Sequence, residues 1–222
     1  MSISKNIEQL KATLPKDVTL VAVTKTKPIE DILEAYHSGQ RVFGENKIQE
    51  MVEKYEQLPK DIQWHMIGHV QRNKVKYMAS FVSLIHGVDN FKLLKEINKQ
   101  AYKHNRVIDC LLQIKIADED SKFGMTTNEA EYILTSQEFS ELSNVNIVGL
   151  MGMATFTDDE NKVVKEFNFL KSTFEKLKQL QTANCKLQTI SMGMSGDYLL
   201  AIECGSNMVR IGSSIFGERT YH

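Results

Sequence analysis

A lysine that directly follows a short apolar segment is the first residue in this sequence whose type and position could do chemistry. Lys25 comes after the apolar residues 20–23, and Pro28, which fits the start of a helix, comes three residues later. Such an apolar run is typical of a strand buried in a parallel sheet, and these folds bind ligands at the carboxyl ends of their strands. A partly desolvated lysine there could attack a carbonyl carbon and form a Schiff base. The alternative is an ordinary loop lysine whose charged end stays in water.

Two turns of small residues late in the chain could bind an anion. One is Met194-Ser195-Gly196-Asp197, and the other is Gly212-Ser213-Ser214. Both follow apolar segments and precede short helical segments, where unpaired backbone N–H groups and the helix dipole favour negative charge. Either turn alone is a weak indication, because glycine and serine are also common turn residues. On strands next to the first strand of a barrel, the two turns would place a phosphate beside Lys25.

An amine beside a phosphate site predicts pyridoxal 5′-phosphate as the ligand, because that cofactor carries both an aldehyde and a phosphate. A Schiff-base aldolase acting on a phosphosugar would need the same two features and is the alternative. That class usually takes its lysine from a later strand and requires an acid–base partner, so we rank it lower.

The elements that would position these residues alternate between strand and helix along the chain. Seven helical segments connect the strands, and an amphipathic helix at residues 3–14 precedes them. Strict alternation requires right-handed parallel crossovers, and eight such units close a barrel. We therefore expect a single (β/α)8 TIM barrel domain over residues 1–222, with an extra N-terminal helix. The predicted strands are 20–25, 41–46, 64–68, 81–86, 110–116, 147–153, 189–193 and 208–212.

A doubly wound open sheet has the same alternation and is the alternative fold. It would usually carry a glycine-rich dinucleotide motif after its first strand, whereas residues 24–28 here read Thr-Lys-Thr-Lys-Pro. Polar residues also mark helix ends. Thr126 with Glu129, and Thr157 with Glu160, have the spacing of capping boxes, and Gly39 is expected to end the helix after the first strand.

Composition excludes several classes of function. The formal net charge of −1 gives no electrostatic reason to expect nucleic acid or a membrane surface as a partner. No apolar run approaches the roughly 18 residues of a membrane-spanning helix, and residues 1–14 lack the apolar core of a secretory signal, so we expect a cytoplasmic protein. The three cysteines form no close pair, and the six histidines show no metal-binding spacing. His65 and His86 are therefore expected to be hydrogen-bonded structural residues.

Five motifs in the same order resemble those of the pyridoxal phosphate homeostasis proteins, also called the proline synthetase co-transcribed family, which is related to the barrel domain of alanine racemase. The resemblance covers about residues 20 to 221. Its motifs are Val23-Thr24-Lys25-Thr26-Lys27-Pro28, Phe43-Gly44-Glu45-Asn46, Trp64-His65-Met66-Ile67-Gly68, Ser191-Met192-Gly193-Met194-Ser195, and Val209-Arg210-Ile211-Gly212 with Ile215-Phe216-Gly217.

The resemblance implies a role for particular residues in holding the cofactor. Lys25 would form the internal Schiff base, and Ser195, Gly212 and Ser213 would hold the phosphate. Lys27 is expected to be a surface lysine, with cofactor relay as the alternative.

The resemblance also places two residues near the cofactor ring. Arg210 would face the pyridine nitrogen. Because arginine keeps its proton, it would leave that nitrogen unprotonated and weaken the cofactor as an electron sink. Asn46, at the end of the second strand, would lie close to the ring or to Lys25. An ordinary arginine at a strand end, paired with Glu203 or Glu218, is the alternative for Arg210.

Four positions depart from the family pattern. Lys47 stands where many members have an aromatic residue, and His69 and Arg72 replace a more usual proline and small residue. These changes would alter the mouth of the site. Gly196 stands where an acidic residue is common, and this change affects the phosphate turn itself.

Two classes of function fit these residues. The first is a non-catalytic carrier that holds the cofactor as an imine in vitamin B6 and amino-acid homeostasis, and apo-enzymes could receive the cofactor from it. The second is a pyridoxal-phosphate-dependent racemase or decarboxylase. Racemases of the related type take a second base, a tyrosine, from an additional domain, and the barrel here is expected to occupy essentially the whole chain. We therefore favour the carrier, and we expect a monomer.

Overall fold

Eight parallel strands close into one barrel in chain order. The computed structural model describes residues 2–117, 123–180, 182 and 184–217, and in it β1 pairs with both β2 and β8. This topology confirms the (β/α)8 barrel and rules out the open sheet. The strands are β1 Thr19–Val23, β2 Val42–Glu45, β3 Gln63–Met66, β4 Leu84–Val88, β5 Ile108–Gln113, β6 Val145–Met151, β7 Cys185–Met194 and β8 Met208–Ile211.

Helices cover the outside of the barrel, and the extra N-terminal helix packs beside the first and last of them. The connection between β3 and β4 is a 3₁₀ helix, Arg72–Tyr77, in which Val75 is the buried residue. The α-helices are α1 Ile3–Thr13, α2 Ile29–His37, α3 Ile48–Gln57, α4 Phe91–Lys103, α5 Thr127–Thr135, α6 Gln137–Ser140, α7 Glu160–Lys178, α8 Tyr198–Glu203 and α9 Ser213–Phe216. None of the helices in the described part of the chain combines the length and apolarity needed to cross a bilayer.

Local capping signals predict some helix boundaries correctly and miss others. Thr126 and Glu129 form the expected capping box at the start of α5, and Gly39 adopts a positive φ of 89° just past α2. The expected box at Thr157 is wrong, because Asp159 caps α7 by accepting the N–H groups of Asn161 and Lys162. A carboxylate directly before the first turn is well placed for both N–H groups, whereas the threonine lies two residues further away.

Apolar residues fill one layer of the barrel interior. Other apolar residues fill the space between the strands and the helices. Val21, Leu84, Leu111, Met151 and Met208 form the interior cluster. A larger cluster packs the outer face of the strands against the helices, as the alternation of side chains along a strand requires. The polar residues that line a cavity lie beyond the interior cluster, toward the carboxyl ends of the strands.

A glycine on β6 allows close approach of β7 and gives a test of the barrel packing. A Cβ atom added at Gly149 would overlap the Thr189 carbonyl oxygen. We expect Gly149→Ala to lower the free energy of unfolding by about 1–3 kcal/mol, because backbone rather than a flexible side chain must move.

The matched control is Gly196→Ala, since a Cβ there has no atom within 4 Å and the change should stay within about 0.5 kcal/mol. Urea denaturation measures both free energies. Equal stability of the two variants would contradict the described approach of β6 to β7.

Candidate functional site

A cavity of about 620 Å³ lies at the carboxyl ends of the strands. Its volume is within the range of cofactor sites. The structure brings together every site residue that the sequence singled out. The predicted residues in its lining are Lys25, Asn46, Ser195, Arg210, Gly212 and Ser213.

The two lysines after β1 are both half-buried, and both line the cavity. Lys25 lies in the turn between β1 and α2. The Lys27 ammonium donates hydrogen bonds to the carbonyl oxygens of Phe216, at 2.9 Å, and Gly217, at 3.4 Å. Lys27 therefore closes the end of α9 and is not the surface lysine that was expected. Its contacts also tie the Lys25 turn to the last helix of the barrel.

The turns after β7 and β8 meet at one side of the cavity. The Gly212 N–H donates to the Ser195 Oγ at 3.2 Å, which joins the two turns. Because Ser213 begins α9, the N–H groups of Ser213 and Ser214 have no acceptor within that helix. Two hydroxyls and unpaired backbone N–H groups can together bind the oxygens of a phosphate.

The first of these turns is held by a side chain within it. Asp197 accepts the Met194 N–H at 2.5 Å, so its carboxylate links the two ends of the turn. A Cβ atom at Gly196 would meet no atom within 4 Å. The space beside Gly196 therefore does not demand glycine.

Arg210 is a buried cation whose side chain enters the barrel interior from β8. It is only 4% exposed, and it donates hydrogen bonds to the Ser191 Oγ at 2.6 Å and to the Gly152 carbonyl oxygen at 3.1 Å. Of the two carboxylates in the alternative interpretation, Glu203 does not pair with Arg210, and Glu218 lies outside the described residues. Burial lowers the pKa of Arg210 to about 10, and Asp197 opposes this change.

The charge and the remaining hydrogen-bond donors of Arg210 favour a ligand that carries a hydrogen-bond acceptor. At neutral pH the guanidinium is charged, and no carboxylate in the described ranges lies within 4.0 Å of it. A buried charge without a contacting counter-ion is costly. A ligand that brings a hydrogen-bond acceptor or a negative charge into the cavity would reduce that cost.

Behind Arg210, a chain of buried hydrogen bonds crosses the barrel interior. The His86 ring lies 3.0 Å from the Ser191 Oγ through Nδ1 and 3.0 Å from the His65 Nδ1 through Nε2. Burial lowers the pKa of His65 to about 3 and that of His86 well below its usual value, with the charge of Arg210 adding to the latter shift. Both rings are therefore neutral at physiological pH. This agrees with the expectation that they are hydrogen-bonded structural residues.

The mouth of the cavity carries aromatic side chains that sequence reasoning did not assign to the site. Phe123 stacks on the His69 ring with centroids 4.1 Å apart, and His69 lies 3.2 Å from an Asp89 carboxylate oxygen. Phe156 also lines the cavity and is 96% exposed. His69 therefore lies at the mouth of the cavity, and its effect there relative to other family members stays a prediction.

The other two departures lie outside the cavity lining. Arg72 and Lys47 are exposed, and Lys47 occupies the N-cap position of α3. The described residues also contain no group of three or more potential metal ligands. The donors at the site are an amine, a guanidinium, an amide, hydroxyls and backbone N–H groups. This set fits an organic anion with an electrophilic carbon, including a phosphorylated aldehyde.

Comparison with known proteins places the whole chain among close relatives. The family profile described as "Alanine racemase, N-terminal domain" matches residues 1–220. The pyridoxal phosphate homeostasis protein of Pasteurella multocida is 38% identical over 234 residues, covering 100% of this chain and 99% of that protein. The protein of the same name from Aquifex aeolicus is 41% identical over 204 residues, covering 91% and 87% of the two chains.

Solved structures also include close matches to this chain. PipY of Synechococcus elongatus PCC7942 with PLP bound has a TM-score of 0.88 and 32% identity, covering 97% of this chain and 100% of that one. Alanine racemase from E. faecalis has a TM-score of 0.77 but 16% identity, and the match covers 58% of that enzyme. The second likeness supports the fold alone.

The buried histidine pair predicts a pH dependence of stability. Unfolded histidine titrates near 6.5, so below that pH the unfolded chain binds protons that folded His65 and His86 do not. The free energy of unfolding should therefore fall from pH 6.5 to 5 by up to about 1.4 kcal/mol per pH unit for each histidine. His65→Gln should reduce the slope of the free energy of unfolding against pH by up to the equivalent of one proton. Urea denaturation across this pH range measures that slope.

The matched control for this change is His104→Gln, an exchange at an exposed histidine. An unchanged slope in His65→Gln would show that the ring at position 65 accepts a proton in the folded protein.

Proposed function

Since the chain belongs to the family of the pyridoxal phosphate homeostasis proteins, we propose that it binds pyridoxal 5′-phosphate in the cavity at the carboxyl ends of its strands. Its role would be that of a non-catalytic carrier in vitamin B6 and amino-acid homeostasis. The observation that carries this proposal is the convergence of Lys25, Arg210 and the two anion-binding turns on one cavity.

Lys25 would hold the cofactor covalently. Its unprotonated amine would add to the aldehyde carbon, with loss of the carbonyl oxygen as water, so that a C–N double bond would replace the C–O double bond. Hydrolysis of the imine reverses this step, so a carrier can release the cofactor. The half-buried position of Lys25 beside the cavity supports this role.

The remaining site residues would bind the other parts of the cofactor. Ser195, Gly212 and Ser213 would hold the phosphate through hydroxyl and backbone N–H groups. Arg210 would donate a hydrogen bond to the pyridine nitrogen, and Asn46 would lie near the ring or the Lys25 linkage. The buried charge of Arg210 supports this arrangement, because the ring nitrogen offers an acceptor without requiring a proton.

A carrier is favoured over an enzyme for a chemical reason. The bound cofactor can stabilise a carbanion, and this capacity depends on a protonated pyridine nitrogen. A guanidinium donor discourages that protonation. The names of the relatives, which refer to homeostasis rather than racemisation, support the same choice. We further propose that the protein acts as a cytoplasmic monomer and that apo-enzymes receive its cofactor.

The site of attachment can be mapped chemically. After incubation with pyridoxal 5′-phosphate and reduction with borohydride, peptide mass analysis should place the adduct on Lys25. Lys25→Ala should lose the visible imine absorbance, because the amine that forms the bond is gone. The matched control is Lys47→Ala, which removes an exposed lysine outside the cavity. An adduct on another lysine, or full absorbance in Lys25→Ala, would contradict the proposal.

The absence of substantial catalysis is tested with the loaded protein. We incubate it with each amino acid and follow chirality and carbon dioxide release. The expected result is no turnover above that of free cofactor, because Arg210 weakens the electron sink. Fast turnover of any amino acid would favour the racemase or decarboxylase alternative.

A further inference from the structure

A buried ionic cluster lies directly beneath the turn that carries Lys25. It consists of Lys54 on α3, Glu45 at the end of β2 and Glu50 at the start of α3, and we call it the Lys54 cluster. The Lys54 ammonium lies 2.7 Å from a carboxylate oxygen of each glutamate. The side chains of Lys54 and Glu45 are 7% and 0% exposed, so water contributes little to their solvation.

The Lys54 cluster holds the residues on both sides of Lys25. The Lys54 ammonium donates to the Thr24 carbonyl oxygen at 2.7 Å. The same Glu50 oxygen that accepts from Lys54 also accepts the Thr26 N–H at 2.6 Å. One ammonium therefore fixes the residue before Lys25 directly and the residue after it through one carboxylate.

The conformation that this cluster holds is an unusual one. Thr26 has a φ of 64°, in the left-handed region. For a β-branched side chain this is a strained conformation, and it persists only where surrounding contacts determine it. The Glu50 carboxylate supplies such a contact. The strained residue is the immediate neighbour of the lysine that lines the cavity.

Stability alone is a poor explanation for the Lys54 cluster. Burial raises the pKa of Glu45, against the opposing effect of Lys54, and the Glu45 Oε2 has no hydrogen-bond partner within the described chain. Buried ion pairs often contribute less than apolar packing of similar volume. The contacts to Thr24 and Thr26 give the cluster a geometric role instead.

We propose that the Lys54 cluster is a positioning device for Lys25, in which Glu50 holds Thr26 in its left-handed conformation and so keeps the Lys25 amine directed into the cavity. This inference rests on the proposed function for the identity of the aldehyde that Lys25 meets. Without Glu50, Thr26 relaxes to a negative φ in most molecules. The fraction of molecules competent to bind the aldehyde then falls, and the apparent affinity falls with it.

The test compares Glu50→Ala with Glu50→Gln and with Glu53→Ala, a control on the same helix at an exposed position. In cofactor-free protein, amide hydrogen exchange at Thr26 should accelerate in Glu50→Ala. The apparent Kd for pyridoxal 5′-phosphate, from the imine absorbance, should rise roughly tenfold, equivalent to about 1.4 kcal/mol. Glu50→Gln keeps an acceptor for the Thr26 N–H and should stay closer to wild type, and Glu53→Ala should match wild type in both measurements.

A rescue variant separates positioning from general damage to the fold. Glycine adopts a positive φ without steric cost, so Thr26→Gly added to Glu50→Ala should recover several-fold of the lost affinity. Unchanged Thr26 exchange in Glu50→Ala would overturn the inference. So would faster exchange with unchanged affinity. If the wild-type protein forms no imine at Lys25, the proposed function fails, and the exchange measurement alone then decides whether Glu50 holds the turn.

Discussion

The pairing of β1 with β8 is the contact on which the candidate site depends. Four residue pairs form this ladder, ending with Ala22 opposite Ile211. Because Lys25 and Gly212 follow those residues closely, closure of the barrel brings an amine near the start of the chain to a turn near its end for which we propose anion binding. The Lys27 contacts with the end of α9 reinforce the same junction. In an open sheet the first and last strands would not pair, so the amine and this turn would not be brought together.

The interior beyond this junction concentrates positive charge with little to balance it. Arg210 is nearly inaccessible to water and is held by a hydroxyl and a carbonyl rather than by a carboxylate. The histidines behind it stay neutral, so they add no charge of either sign. The cavity thus presents a fixed cation, a lysine and the first backbone N–H groups of α9 together. A ligand with a phosphate and a ring acceptor complements all three.

The sequence predicts the fold and the placement of the site residues, because both depend on periodicity and on where strands end. It is less reliable for local detail. The apolar residues Phe81 and Val82 suggest a strand, but β4 begins at Leu84, because the N–H groups of those two residues bond to Met78 at the end of the preceding 3₁₀ turn. Such boundaries depend on packing that a linear pattern does not contain.

The residues that support the site side chains could not be predicted from the sequence, for a related reason. Ser191 and His86 lie on different strands more than 100 positions apart, and their contact follows from barrel register. Lys54 looks like an ordinary surface lysine of an amphipathic helix, yet it is buried against Glu45. A chemical motif can be recognised from residue types, whereas the partners that orient it become visible only when the strands are placed.

We propose that Lys25, Arg210 and the two late turns act on one ligand, and a crystal structure of the protein grown with pyridoxal 5′-phosphate would show whether they do. We expect electron density continuous from the Lys25 Nζ to the cofactor, with the phosphate between Ser195 and Gly212 and the ring nitrogen facing Arg210. Cofactor bound to a different lysine, or a phosphate at the opposite end of the barrel, would contradict it.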